Sequence, residues 1–292
     1  MADNAKTSSN IGHLLGRPPE RRTFAEAAGL VLNRCFIGVE FEFEGVEGFP
    51  DSLREYWNPH NDGSLRDGGV EFSMNGPMCG QDAVDAIAEL LDCAKKSKWI
   101  TSERCGLHVH LDVRNLSQDQ LAALAVAYAI TEPLLFRFAG EHRANNQFCC
   151  PWIRAAGELD AIGKVLRADS GDELRRLGDT VHKYAALNFG AMYKYGTIEF
   201  RHLQCTTDNA RVLQWVNMIL SLKRYVMHER ETPKDVLMSV SADPKAFVFN
   251  VYKDLAGTLL YPGAEQDMEE ALDMAHLLVV KDSGLNRKKG AV

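Results

Sequence analysis

The sequence predicts an α+β protein built on a mainly antiparallel sheet with flanking helices. Three observations carry that prediction. Several short segments alternate apolar and polar residues with the period of a strand, some as hairpin-like pairs. Longer stretches with helical spacing lie between them. The two kinds do not follow the strict rhythm of a parallel doubly wound sheet, which leaves the antiparallel arrangement.

Taken in order, residues 1–20 are rich in Ser, Asn, Gly and Pro and read as a flexible N-terminal arm. Residues 23–32 have helical spacing with Thr23 as cap. Residues 38–44 form the first strand. Residues 45–69 read as loop, with Asp62-Gly63-Ser64 as the sharpest turn signal. Residues 70–74 alternate as a strand. Residues 82–98 form a helix with Val84, Ile87, Ala88 and Leu91 on its apolar side, ending in the basic run Lys95, Lys96 and Lys98, where cations suit the helix dipole. Residues 107–113 return to strand alternation. Ser117-Gln118-Asp119-Gln120 is a capping box opening an apolar helix to Phe138, with Pro133 as a point of kinking or division. Residues 141–152 read as loop, followed by helical pieces to Gly178. Strands are expected at 185–189 and 197–203, and helices at 209–228 and 265–279. With no internal repeat and no linker, residues 21–280 are one domain, and 281–292 a loose basic tail.

Composition bounds the function. An apolar fraction of 46% and a charged fraction of 25% are those of an ordinary globular protein. A formal charge of −7 argues against free nucleic-acid binding, which depends on clustered cations. No apolar run approaches the roughly 20 residues of a membrane helix, residues 121–130 being far too short, so no membrane association is expected. The N-terminus lacks the apolar stretch of a secretory signal. Seven cysteines without a C-x-x-C pair point to a reducing compartment, hence the cytoplasm.

Glu40, Glu42 and Glu44 occupy alternate positions of Gly38-Val39-Glu40-Phe41-Glu42-Phe43-Glu44. On a strand all three carboxylates share one face, roughly 7 Å apart, and the phenylalanines share the other. No Lys or Arg interleaves, and a divalent cation is the simplest remedy for the repulsion. Three more segments repeat the design. Glu71 and Ser73 share a face, as do His108, His110 and Asp112, and Thr197, Glu199 and Arg201. An E-x-E or H-x-H strand alone is more often a solvated face, and Arg201 beside Glu199 alone is an ordinary ion pair. Four such strands in one chain point instead to a concave site. Its carboxylate-rich donors suit Mg2+ or Mn2+ better than zinc. Magnesium on protein carboxylates usually accompanies substrate phosphates, which makes a nucleotide the natural partner. The chain has neither a Walker-A motif nor a G-x-G-x-x-G following a strand, so phosphates would be held by metals and side chains, Arg201 and the histidines among them.

Gly-Val-Glu-Phe-Glu, Asp-Gly-Ser-Leu with Gly-Val-Glu-Phe-Ser, Cys-Gly-Leu-His-Val-His and Gly-Thr-Ile-Glu-Phe-Arg, in that order, resemble the putative amidoligase family. These are carboxylate–amine ligases that share the glutamine synthetase catalytic fold. The resemblance runs from about Phe36 to Leu203. It implies a curved antiparallel sheet and an ATP-dependent ligase with Mg2+ (or Mn2+), joining small-molecule or peptide carboxylates to amines through an acyl phosphate. Glu40, Glu42, Glu71, His108 and Glu199 match metal ligands. His108, His110, Arg201 and Ser73 match the nucleotide side, and Arg201, Glu199 and His110 the catalytic positions. Asp62, Arg143, Asn146 and Asn188 are substrate-site candidates. Glu44 is not required by the pattern. Relatives of the fold often assemble, so a homo-oligomer is an expectation.

Other readings stay open at this stage. His110-x-Asp112 with a distal His202 or His182 fits the facial triad of a non-haem iron oxygenase, with Arg201 holding a 2-oxoacid, but leaves Glu40, Glu42 and Glu71 without a role. A zinc site of Cys105, His108 and His110 lacks a fourth ligand. A non-catalytic metal- or nucleotide-binding module is the remaining alternative, against which no motif looks degraded.

Overall fold

Val39 and Phe41 are buried while Glu40 between them is only partly so, which gives the first strand one face in the core and one toward an opening. That strand, β1 (Ile37–Phe43), lies inside a six-stranded sheet with β2 (Trp57–Asn61), β3 (Val70–Met74), β4 (Leu107–Asp112), β5 (Leu187–Asn188) and β6 (Thr197–Phe200). The order is β2-β3-β1-β4-β6-β5 and every pairing is antiparallel. The computed structural model describes residues 10–17, 30–32, 34–154, 163–164, 167–168, 170–173, 182–228 and 232–286. Its α+β architecture, an antiparallel sheet with flanking helices, is the one the patterning predicts.

The apolar faces of the strands build the core. Phe41, Phe43, Phe72, Trp57 and Trp99 interlock, Phe43 and Phe72 edge to face at 6.2 Å and Phe72 stacked on Trp99 at 5.1 Å. Each such side chain contributes roughly 1.5–3 kcal/mol of hydrophobic stabilisation when buried. Helices cover this side: α2 (Gly80–Lys96), α3 (Gln118–Ala139) and α5 (Asn209–His228). α2 buries Ala83, Ile87, Leu90 and Leu91, a stripe turned slightly from the one its sequence suggested, with Val84 and Ala88 at its margin. The Ser117 capping box opens α3 as expected. Pro133 sits inside α3 without dividing it. α3 is apolar all round and, by length and composition alone, long enough to cross a membrane, which corrects the shorter run read from the sequence. It is a core helix here, packed against α5, α6 (Pro233–Ala242) and α9 (Ala264–Asn286).

The sequence reading departs from the structure in four places. The expected loop 45–69 contains a 3-10 turn (Asp51–Glu55) and strand β2. Trp-Asn-Pro-His-Asn has no apolar alternation, but it lies at the sheet edge, where Pro59 is tolerated, and Trp57 anchors it by donating to Ala86 O at 3.2 Å. Second, α4 (Ala191–Tyr195), α6, α7 (Pro244–Tyr252) and α8 (Ala256–Leu259) were not anticipated. The signals for α6 and α7 are present: Thr232 and Asp243 cap them, and both begin with proline. Third, part of the arm is docked. The single turn α1 (Ile11–Leu14) buries Ile11, and Gly12 N–H donates to Arg114 O at 2.8 Å. Fourth, α9 runs to Asn286, into the expected tail. Most of the helix expected at 23–32, and of the helical pieces expected before Gly178, lies outside the described residues.

One polar chain crosses the core. Tyr128 donates its hydroxyl proton to Glu132, whose carboxylate also accepts Trp152 N–H at 3.0 Å, and Tyr128 meets His202 Nε2 at 2.9 Å. His202 is fully buried among Phe136, Phe200 and Trp215. Burial, helped by the Arg143 charge, pushes its pKa down to about 3. An unfolded histidine titrates near 6.5. Below that pH the unfolded chain therefore takes up a proton that the folded chain refuses, so stability is full above about pH 6.5 and falls as the pH drops toward 3. Denaturant titrations of wild type and His202→Gln at pH 7 and pH 4.5 should show the larger acid-induced loss in wild type. Equal losses would contradict the neutral, buried state of His202.

Candidate functional site

The sheet register assembles the polar residues. Glu40 stands opposite Ser73 on β3 and His108 on β4. Glu42 stands opposite Glu71. His110 faces Glu199, which faces Asn188 on β5. Because side chains alternate, each of these residues projects to the face away from the aromatic core. Residues dispersed between positions 40 and 201 become neighbours because the strands that carry them are adjacent.

His108 is the centre. Its Nδ1 lies 3.2 Å from Glu40 and 3.4 Å from Glu199, and its Nε2 3.7 Å from Glu42. Among the described residues two groups of metal-ligating atoms result, Glu40–His108–Glu199 and Glu42–Glu71–His108, each with its atoms within 4.8 Å of one another. At that separation two carboxylates repel by about 3 kcal/mol at an effective dielectric constant of about 20. Cations and hydrogen bonds offset this. His110 Nε2 lies 3.3 Å from Glu40, while its Nδ1 meets Thr197 Oγ1 at 3.1 Å. Gly106 N–H donates to Glu42 at 2.5 Å, Asn188 donates to Glu199 at 2.9 Å, and Arg201 is ion-paired with Glu199.

The charge states follow. Burial opposes ionisation of Glu40, but hydrogen bonds from His108 and His110 outweigh it and hold the carboxyl well below the usual range. Burial, then the Glu40 charge, pushes Glu71 up to about 7, although Ser73 Oγ donates to it at 3.0 Å. Burial works against a charged His110, yet its bond to Glu40 and the nearby carboxylates raise its pKa. An oxygen-rich donor set with one imidazole fits a hard divalent cation. A neutral imidazole has one free lone pair, so His108 can ligate for one group while its N–H serves the other.

Glu40, Glu42, Glu71, Ser73, His108, His110, Asn188, Glu199 and Arg201 thus come together. Four other residues singled out in the sequence do not join the cluster. Asp62 closes its own turn by accepting Ser64 N–H at 2.8 Å. Asn146 accepts Phe148 N–H at 2.8 Å and donates to Glu103 O. Arg143 is buried and donates to three backbone carbonyls. Glu44 is buried and accepts Arg66 N–H at 2.9 Å, so it braces the neighbouring loop. The oxygenase constellation is not assembled either. Asp112 holds Arg114 at 2.8 Å, His202 lies on the buried face, and the ring of His182 rests against Tyr184. Cys105 directs its thiol to Ser102 and to Ile100 O, away from a zinc site with the histidines.

Sequence reasoning missed three contributors. Tyr195 sets its ring edge-on to His110 at 5.8 Å, and Lys194 lies over Tyr195 at 4.6 Å. His60 stands opposite Glu71, which only knowledge of the β2–β3 pairing could reveal. Gly106 was visible as part of a motif, but its role lies in its backbone.

The sequence profile described as "putative amidoligase enzyme" matches residues 67–223, more than half of the 292. The chain belongs to this family. No curated protein matches it. The amidoligase match includes Glu71, His108, His110, Asn188, Glu199 and Arg201. Glu40 and Glu42 precede it, and β1 brings them in by pairing between β3 and β4.

A Cβ on Gly106 would stand 2.8 Å from His108 Nε2 and 3.3 Å from both Glu42 and Arg143. Gly106→Ala should therefore displace the imidazole while leaving the aromatic core intact. We expect divalent-cation affinity, followed by Mn2+ titration, to fall by about 10–100-fold, the range typical of displaced supporting groups. Unchanged Mn2+ binding in a folded variant would remove His108 from the site.

Proposed function

We propose that this amidoligase family member is an ATP-dependent carboxylate–amine ligase of the glutamine synthetase-like catalytic fold, forming an amide or isopeptide bond through an acyl phosphate. The observation that carries the reading is the pair of carboxylate groups sharing His108, with the Arg201 guanidinium alongside. Glu40, His108 and Glu199 would hold one Mg2+ or Mn2+ through the imidazole lone pair on Nδ1, and Glu42 and Glu71 would hold another, with the Nε2–H of His108 directed at Glu42. Bound there, such cations neutralise phosphate charge and orient phosphate oxygens for in-line transfer.

The protein's own groups do the rest. Arg201 lies on Glu199, and its Nε donates to Phe148 O at 3.2 Å, so the guanidinium is fixed before substrate arrives. A fixed cation beside the transferring phosphoryl group stabilises the charge that develops there. His110, with its two ring nitrogens held by Thr197 and Glu40, orients the Glu40 carboxylate toward the cation it would ligate. Ser73, beside Glu71 on β3, lines the nucleotide side. Carboxylates are poor electrophiles, and the acyl phosphate makes the carbonyl attackable by a neutral amine. The protein takes small-molecule or peptide carboxylates and amines in this reading.

The test is incubation with Mg-ATP and pools of 18O-labelled carboxylates and amines. ADP, a condensed product and phosphate carrying 18O are expected, the label reporting the acyl phosphate. Glu42→Gln should cut turnover by about 100-fold or more while the thermal midpoint stays near wild type. Absence of ATP turnover with every pool, together with tight Fe(II) and 2-oxoacid binding, would overturn the reading.

A further inference from the structure

The sheet is irregular at one point beside the site. β4 and β6 run in register from Asp112↔Thr197 to Val109↔Phe200, and the next bridge joins Gly106 to Gln204. Between these points one chain has two residues, Leu107 and His108, and the other has three, Arg201, His202 and Leu203. That extra residue is a β-bulge, which re-aims side chains and interrupts the ladder. The burial pattern confirms it: His202 and Leu203 are both in the core, while Arg201 stays on the acidic side.

A single side chain takes up the bulge carbonyls. Arg143, 1% exposed on the 3-10 turn Glu141–Asn145, donates Nη2–H to Arg201 O at 3.1 Å and Nε–H to His202 O at 2.9 Å. Its Nη1 donates to Glu103 O at 3.3 Å, just ahead of Gly106. The guanidinium also lies against Gly106, 3.3 Å from where a Cβ would stand. One rigid fork therefore ties the backbone of Arg201 to the strand end whose amide holds Glu42. The point charge of a lysine cannot make these bonds together.

We infer that Arg143 is a positioning residue for the ligase reaction, locking the bulge that aims Arg201 at the phosphoryl group and seating Gly106 under Glu42 and His108. The inference rests on the ligase reading for what Arg201 does, but the lock itself can be tested without it. In 15N spectra the Arg201 Nε–H signal, assigned by its loss in Arg201→Lys, should shift or broaden in Arg143→Lys and in Arg143→Gln. Affinity for Mn-ATP should fall about tenfold or more in Arg143→Lys, yet change less than about twofold when Arg201 is already Met, because coupled residues are not additive. A residue that merely supports the fold would lower the thermal midpoint and act additively in that cycle. An unmoved Arg201 signal, additive effects, or failure of both Arg143 variants to fold would each overturn the inference. If wild type binds no nucleotide, the ligase reading fails while the Arg201 signal still decides the lock.

Discussion

His108 stands between three carboxylates, and the register of β1, β4 and β6 puts it there. A strand slip by one residue would turn its imidazole into the aromatic core and leave Glu40, Glu42 and Glu199 without it. Register is therefore the constraint from which the site follows. It is enforced from behind: Phe41 must enter the pocket formed with Phe43 and Trp57, and Leu107, Val109 and Leu111 must face the helices. Burying a few such side chains gains several kcal/mol, enough to hold an acidic face whose pairwise repulsions are about 3 kcal/mol each.

The same constraint explains why the donors are anchored one by one. Glu42 is fixed by a backbone amide, Glu199 by Asn188 and Arg201, Glu40 by two imidazoles, and Glu71 by a serine hydroxyl. Glu42 and Glu71, each with one oxygen hydrogen-bonded, present the other in a fixed direction, while Glu40 and Glu199 are held through both oxygens, and such anchoring separates a ligand set from a solvated acidic patch. Glu44 shows the contrast. It belongs to the same alternating run, but past the last ladder residue it serves a loop instead.

Legibility in the sequence followed the same division. Period-2 alternation exposed β1, β3, β4 and β6, and with them every member of the two carboxylate groups. Alternation reports which face a residue takes, so Glu40, Glu42, Glu71, His108 and Glu199 were all within its reach. It does not report which strands are neighbours or where a register breaks. Hence His60 was passed over, β2 was read as loop, and Arg143 was placed with substrate although its donors go to backbone. Helices α6 and α7 were announced by Thr-Pro and Asp-Pro starts, but short amphipathic helices give weak periodicity and escaped notice. Pro133 does not divide α3 for a tertiary reason: the helix is enclosed by other helices on several sides, and packing keeps it continuous.

The family match begins at residue 67, after β1 has ended. Without β1, β3 and β4 would have no strand between them, and the two carboxylate groups would lose Glu40 and Glu42 while His108 kept only Glu71 and Glu199. The matched segment thus contains most of the chemistry but not a complete site. The missing pieces come from a strand whose core face, Val39, Phe41 and Phe43, is as demanding as its acidic face. The residues that complete the chemistry and those that hold the sheet together therefore alternate along one seven-residue strand. Neither set can be moved without moving the other, and this physical coupling makes β1 part of the same functional unit as the matched region.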